Sequence, residues 1–141
     1  MSTIFCELGL EETAEPVQGV LTSDYGYRDH PVSGDFRFHK GVDLGAVSGT
    51  DIVAFAGGTV AYTGRNDTCG LYFRLDHGNG VSTFYCHCSE LKILDGQTVE
   101  TGQVVAKVGQ TGNATGPHLH FAVIKDGVYL DPLYYIGAGK G

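Results

Sequence analysis

Thr115-Gly116-Pro117-His118-Leu119-His120-Phe121, continued by Ala122-Val123-Ile124, reads as a glycine- and proline-led entry into a strand. Residues two apart on an extended segment point to the same side. His118 and His120 therefore face one cavity with their Cα atoms about 6 to 7 Å apart, close enough for one imidazole to hold a metal ion and the other to reach the metal's water. By itself, such a pair is equally a surface or hydrogen-bonded pair. Complementary side chains elsewhere decide between the two.

Upstream, His39-Lys40-Gly41-Val42-Asp43 offers an imidazole and a carboxylate four residues apart, both types that bind zinc. On a straight strand they would stand about 13 Å apart, so sharing one ion requires a bend, which Gly41 permits. Gly34, Gly41, Gly45, Val42, Leu44 and Val47 are poor helix material, which places the motif on a loop running into a strand. A third contributor is His87, within the β-branched and aromatic run Val81-Ser82-Thr83-Phe84-Tyr85-Cys86-His87-Cys88. Strand alternation puts His87 on one face with Tyr85 and Ser89, and Cys86 with Cys88 on the other. A lone strand histidine is ordinarily a core or surface group. Beside the other two motifs, it becomes a site candidate.

The ordered set Ser23-x-Tyr25-Gly26-x-Arg28, His39-x-Gly41-x-Asp43, Tyr85-x-His87 and Thr111-Gly112 to Gly116-Pro117-His118-Leu119-His120-Phe121 resembles the lysostaphin-type (LytM-type) zinc metallopeptidases that cut peptidoglycan peptides. The likeness runs from about Val20 to Pro132. It implies His39, Asp43 and His120 as ligands of one zinc ion per domain, and His87 and His118 as catalytic histidines. One departure is Cys88, where such proteins commonly carry an apolar residue. The implied fold is mostly β, with antiparallel sheets of short strands around a metal-containing groove in a duplicated hybrid-motif arrangement.

The implied activity is that of a metalloendopeptidase acting on peptidoglycan cross-bridges or stems. A zinc ion with three protein ligands and an open fourth position polarises a carbonyl and activates water near neutral pH. No H-E-x-x-H glutamate is present, which leaves His87 and His118 for orienting water, stabilising the oxyanion and moving the proton. Gly-Gly, D-Ala-containing and diaminopimelate crosslinks all suit a narrow groove bordered by Gly and Tyr. The alternative is a non-hydrolytic scaffold on the same fold that binds a partner protein or wall polymer. A missing ligand would favour it, and none is missing.

The chain's 141 residues fit one domain, and 42% hydrophobic with 18% charged residues is a globular composition. Its 22 glycines suggest many turns between short strands. A net charge of -7 leaves no basic stripe for nucleic acid and gives no electrostatic help toward an anionic wall. The first residues lack a basic, then apolar, signal pattern, and no run approaches the length of a membrane span. An enzyme of this kind works outside the membrane, so the expectation is an extracellular or envelope-facing monomeric domain. It would be either part of a longer exported protein or a phage lytic module, with a protein partner if it belongs to a larger assembly.

Residues 1–18 read as an acidic lead-in, 19–136 as the peptidase domain and 137–141 as a Gly-rich tail. Tyr25, Tyr27 and Arg28 are candidate neighbours of the site, and the other reading of that segment is a turn framework with Arg28 paired to Asp24 or Asp29. Asn113 and Thr115 lie in a glycine-flanked loop that forms a candidate groove rim, while His30 reads as a loop residue. Ile52 to Ala61 gives two short strands around a Gly57-Gly58 turn. Gly78-Asn79-Gly80 and Asp126-Gly127 are hairpin turns, with His77 structural. Cys6, Cys69, Cys86 and Cys88 form no C-x-x-C pair, so buried free thiols are the default. A Cys86–Cys88 bond would be strained, and pairing of either with Cys69 is an open alternative.

Overall fold

The glycine punctuation resolves into a run of short strands joined by tight turns. The computed structural model describes residue 10 and residues 12–23, 26–29, 36–39, 41–112 and 116–136, with backbone alone at 23, 26–29, 36–39 and 134. In chain order the strands are β1 (Val20–Ser23), β2 (Gly26–Asp29), β3 (Phe36–His39), β4 (Val42–Gly45), β5 (Asp51–Val53) and β6 (Gly58–Asn66). They continue as β7 (Gly70–Gly78), β8 (Val81–Leu91), β9 (Thr98–Val99), β10 (Val104–Val108), β11 (His118–Lys125) and β12 (Val128–Leu130). One 3-10 turn, Pro132–Tyr134, follows, started by Asp131, whose carboxylate accepts the Leu133 N–H at 3.0 Å.

Among the described residues every strand pairing is antiparallel. The main sheet runs β1-β4-β11-β8-β7-β6-β9, with β10 joining β8 to β5 and β12 flanking β11, while β2 and β3 form a separate ribbon. The two longest central strands serve several neighbours. β11 pairs through His118–Phe121 with β4, through His120–Lys125 with β8 and through its end with β12. β8 gives its first part to β11 and β7 and its last residues to β10.

The two hairpins expected at Gly78-Asn79-Gly80 and Asp126-Gly127 are present, each with positive φ at the turn residues. The hairpin expected at Gly57-Gly58 is not. β5 pairs with β10, and β6 pairs with β7 and β9. The residues between β5 and β6 are committed elsewhere: Ala54 and Phe55 are buried, and Ala54 exchanges backbone hydrogen bonds with Gln103 and Gly102 at 2.9 Å each. The Val53 N–H is likewise taken by the Pro16 carbonyl at 2.8 Å. That contact, the bond from Ala14 N–H to Phe55 O and the buried Val17 bring the last residues of the acidic lead-in against the core.

At the centre of the core Phe73 stacks on Tyr85 at a centroid distance of 4.2 Å, and Phe121 packs edge-on to Tyr85 at 5.3 Å and against Phe55 at 5.6 Å. Full burial of each such ring contributes about 1.5–3 kcal/mol. Along β11, Leu119, Phe121 and Val123 join this cluster, which turns His118 and His120 to the opposite face.

The core also holds a polar relay. The Phe55 N–H donates to the Tyr85 hydroxyl at 3.2 Å, the Tyr85 and Thr83 hydroxyls share a hydrogen bond of 2.8 Å, and Thr83 meets His77 Nε2 at 2.8 Å. His77 Nδ1–H donates to Gly57 O at 2.9 Å, so both ring nitrogens are occupied and the structural reading of His77 holds. Tyr85→Phe keeps the stacked ring but leaves the buried Phe55 N–H without its acceptor. The expected loss is about 1–3 kcal/mol of unfolding free energy in a denaturant titration, and an unchanged midpoint would contradict the relay's structural part.

Candidate active site

Asp43 and His120 are direct partners in the β4–β11 ladder, so their side chains emerge side by side. His120 Nδ1 lies 2.9 Å from Asp43 Oδ1, and the two side chains are only 20% and 19% exposed. His118, one pleat along, brings its Nε2 to 3.9 Å from the same carboxylate oxygen. The spacing of the two histidines on one strand face is thus as the alternation requires.

The Gly41 region is strand, bend, strand, in place of the expected loop into a strand: β3 ends at His39, Gly41 bends and Asp43 lies within β4. The bend presses the backbone against β11. A Cβ on Gly41 would fall 2.4 Å from Phe121 O and 3.1 Å from His120 Nε2, so only glycine lets the chain pass beside the His120 ring. His39 is placed through its backbone alone, paired with Gly26.

His87 reaches the same place by a different route. It has a φ of 70°, a left-handed value rare for a residue with a side chain. Between the pairs Phe73↔Tyr85 and Leu71↔Cys88 the β7–β8 register shifts, leaving Cys86 and His87 opposite Tyr72 alone. This bulge breaks the alternation and corrects the expected faces. Tyr85 and Cys88 both enter the core, while Cys86 is turned toward Cys69 and Asp43, and the His87 ring packs on the His118 ring with centroids 4.6 Å apart. Cys88 thus packs as an apolar residue would, and burial pushes its thiol up to about 12.

Neither histidine is left to rotate. His87 Nδ1–H donates to Thr111 O at 2.8 Å and His118 Nδ1–H to Gly116 O at 2.9 Å; a carbonyl only accepts, so each neutral ring keeps its lone pair on Nε2. Gly109 joins the two backbones, donating its N–H to His87 O at 3.1 Å and accepting His118 N–H at 3.2 Å. Thr111 is held in turn, its hydroxyl donating to Cys88 O at 2.6 Å and accepting from Leu71 N–H at 3.1 Å. Neither Gly109 nor Thr111 has an expected role from the sequence; the Thr-Gly of the motif points to Thr111, and nothing points to Gly109. Gly70 and Gly112 let the two loops meet, since a Cβ on Gly112 would fall 2.2 Å from Gly70 N.

The structure therefore brings Asp43, His87, His118 and His120 together. Among the described side chains no group of three or more His, Cys, Asp or Glu is arranged to hold a metal. Of the candidate substrate contacts, Tyr25, Asn113 and Thr115 lie outside the described residues, as do His30 and Cys6, and Tyr27 and Arg28 are placed through the β2 backbone only.

A model of peptidase family M23 matches residues 37–132, which take in His39, Asp43, His87, His118 and His120. The chain belongs to peptidase family M23. Among the M23 relatives, the DD-carboxypeptidase/endopeptidase Mpg of Neisseria meningitidis serogroup B is 38% identical over 113 residues, 80% of this chain and 26% of that protein. This chain thus spans about a quarter of that relative's length. A zinc-containing peptidase from Vibrio cholerae has a similar structure, with a TM-score of 0.79 and 32% identity over 83% of this chain and 37% of that one. The catalytic domain of lysostaphin from Staphylococcus simulans aligns with a TM-score of 0.73 and 27% identity over 83% of this chain and 91% of that domain. The mostly antiparallel architecture is that of these M23 peptidases.

Burial holds the His87 pKa below the ordinary 6.5, reinforced by the neighbouring His118 and His120 and opposed by the Thr111 hydrogen bond and Asp43. A histidine depressed on folding contributes stability that is complete above its unfolded pKa and is lost as pH falls through the folded one. An NMR pH titration of the metal-free chain is expected to keep the His87 ring neutral below pH 6.5. A midpoint at or above that value would contradict the burial argument.

Proposed function

We propose that this chain is a zinc-dependent metalloendopeptidase domain that hydrolyses peptide bonds in peptidoglycan cross-bridges or stems. The observation that carries the reading is the juxtaposition of the Asp43–His120 donor pair with two imidazoles whose Nε2 lone pairs are kept available. The donor pair fits a zinc ion in its chemistry: a carboxylate oxygen and an imidazole nitrogen, both zinc-ligand types, emerge side by side from paired strands. His39, at the end of β3, is the proposed third ligand. When bound, zinc supplies Lewis-acid polarisation of a water and of the scissile carbonyl.

The chain's own residues do the rest. With Nδ1–H tied to a carbonyl, each of His87 and His118 offers Nε2 to the reacting atoms. A neutral ring takes a proton there, and a cationic ring hydrogen-bonds the developing oxyanion or protonates the leaving amine. The low His87 pKa keeps that ring in the proton-accepting form near neutral pH. His118 Nε2 stands 3.9 Å from Asp43 Oδ1, on the same side as the donor pair.

The peptidoglycan substrate is supported by family membership and by a Vibrio cholerae relative named as a peptidoglycan DD-endopeptidase, 36% identical over 74% of this chain. It carries with it a working place at the cell envelope or outside the cell. Tyr25, Tyr27, Arg28, Asn113 and Thr115 are the proposed substrate contacts, and wall peptides the partner.

Metal analysis should find zinc lost from His39→Ala, Asp43→Ala and His120→Ala, while His87→Ala and His118→Ala keep it. Peptidoglycan digestion by the last two is expected to fall by ~10²–10⁴-fold, and a chelator should stop the unsubstituted chain. Digestion by both at the unsubstituted rate would refute the histidine assignment. A zinc-loaded chain that binds several chemically distinct peptidoglycans and cuts none would instead establish the non-hydrolytic reading.

A further inference from the structure

We propose that Cys69 and Cys86 form a disulfide modification site, a dithiol that closes beside the catalytic bulge when a disulfide-class oxidant is present. Cys69 ends the β6–β7 turn, and Cys86 is the first residue of the bulge opposite Tyr72. Their backbones are fastened together, because the Cys69 carbonyl accepts the N–H of His87, the residue after Cys86, at 2.7 Å. Both cysteines are free thiols, and they lie close enough to act on one another. Cys88 is excluded as a partner, since the bulge sends it into the apolar core.

The two thiols are unequal in a way that orders the chemistry. Cys69 is half-buried and so open to an external reagent. Cys86 is 1% exposed. An external disulfide therefore meets Cys69 first. The Cys69 thiolate attacks one sulfur of the oxidant, forming a mixed disulfide and expelling one thiolate. Cys86 then gives up its proton and attacks Cys69 Sγ, forming the internal bond and expelling the second thiolate. Two protein thiols lose two hydrogens, and one external disulfide becomes two thiols. The product ties the β6–β7 turn to the strand that carries His87.

The proposal rests on the envelope reading only for the compartment, since disulfides persist where the surroundings are oxidising. Its test requires neither cleavage nor metal. The full chain is equilibrated with glutathione buffers of increasing oxidised fraction, quenched by alkylation, and mapped by mass spectrometry of its peptides. The expected result is loss of two hydrogens with a Cys69–Cys86 link, absent from Cys69→Ser and from Cys86→Ala. A map in which Cys69 and Cys86 stay reduced across the series, or in which either pairs with Cys6 or Cys88 instead, overturns the proposal. Because zinc content and peptidoglycan digestion are measured separately, that failure is distinct from failure of the peptidase reading.

Discussion

The ladder between β4 and β11 is the constraint from which the site follows. It sets Asp43 opposite His120 and Leu44 opposite Leu119, so carboxylate and imidazole share one face while the leucines share the core. Side-chain period in a strand is two, and a slip by one residue would send His118 and His120 into the apolar layer and expose Leu119 and Phe121. The penalty for burying two imidazoles and exposing that apolar surface holds the register. Fold stability and the alignment of polar donors are thus a single requirement, met by the same four cross-strand pairs.

Onto this regular frame the chain grafts one irregular residue. A left-handed conformation at a residue with a side chain costs on the order of 1–3 kcal/mol. At His87 it is over-determined from both sides: the N–H goes to Cys69, the carbonyl to Gly109 and the ring to Thr111. The regular alternative would aim the imidazole along the Tyr85 direction, into the packed aromatic cluster. The strained form delivers it to His118 instead. The local cost and the placement of the ring are therefore the same event.

Much of this was legible in the residues. The alternation of β11 and the glycine- and asparagine-bearing turns are local signals, and they placed His118 and His120 on one face and closed the β7–β8 and β11–β12 hairpins. The need for a bend at Gly41 followed from the reach of an extended backbone. What escaped was non-local or contrary to propensity. Gly57-Gly58 looks like a hairpin turn, but Ala54 and Phe55 are drawn inward by residues some 50 positions away on β10 and its approach. Nothing local in the run marks the bulge at His87, so simple alternation placed Cys86 on the face opposite Tyr85 correctly but assigned His87 and Cys88 to the wrong faces. Thr111 orients His87 through its main-chain oxygen, an atom every residue possesses, and hence leaves no trace in side-chain type.

Gly109 gives the arrangement a mechanical character. One residue is clasped through its N–H by the strand bearing His87 and through its carbonyl by the strand bearing His118, like a rivet through two plates. Fraying at the end of β10 would slacken both rings together, so the centre fails as a unit and has no half-assembled form in which one histidine remains trained on its target.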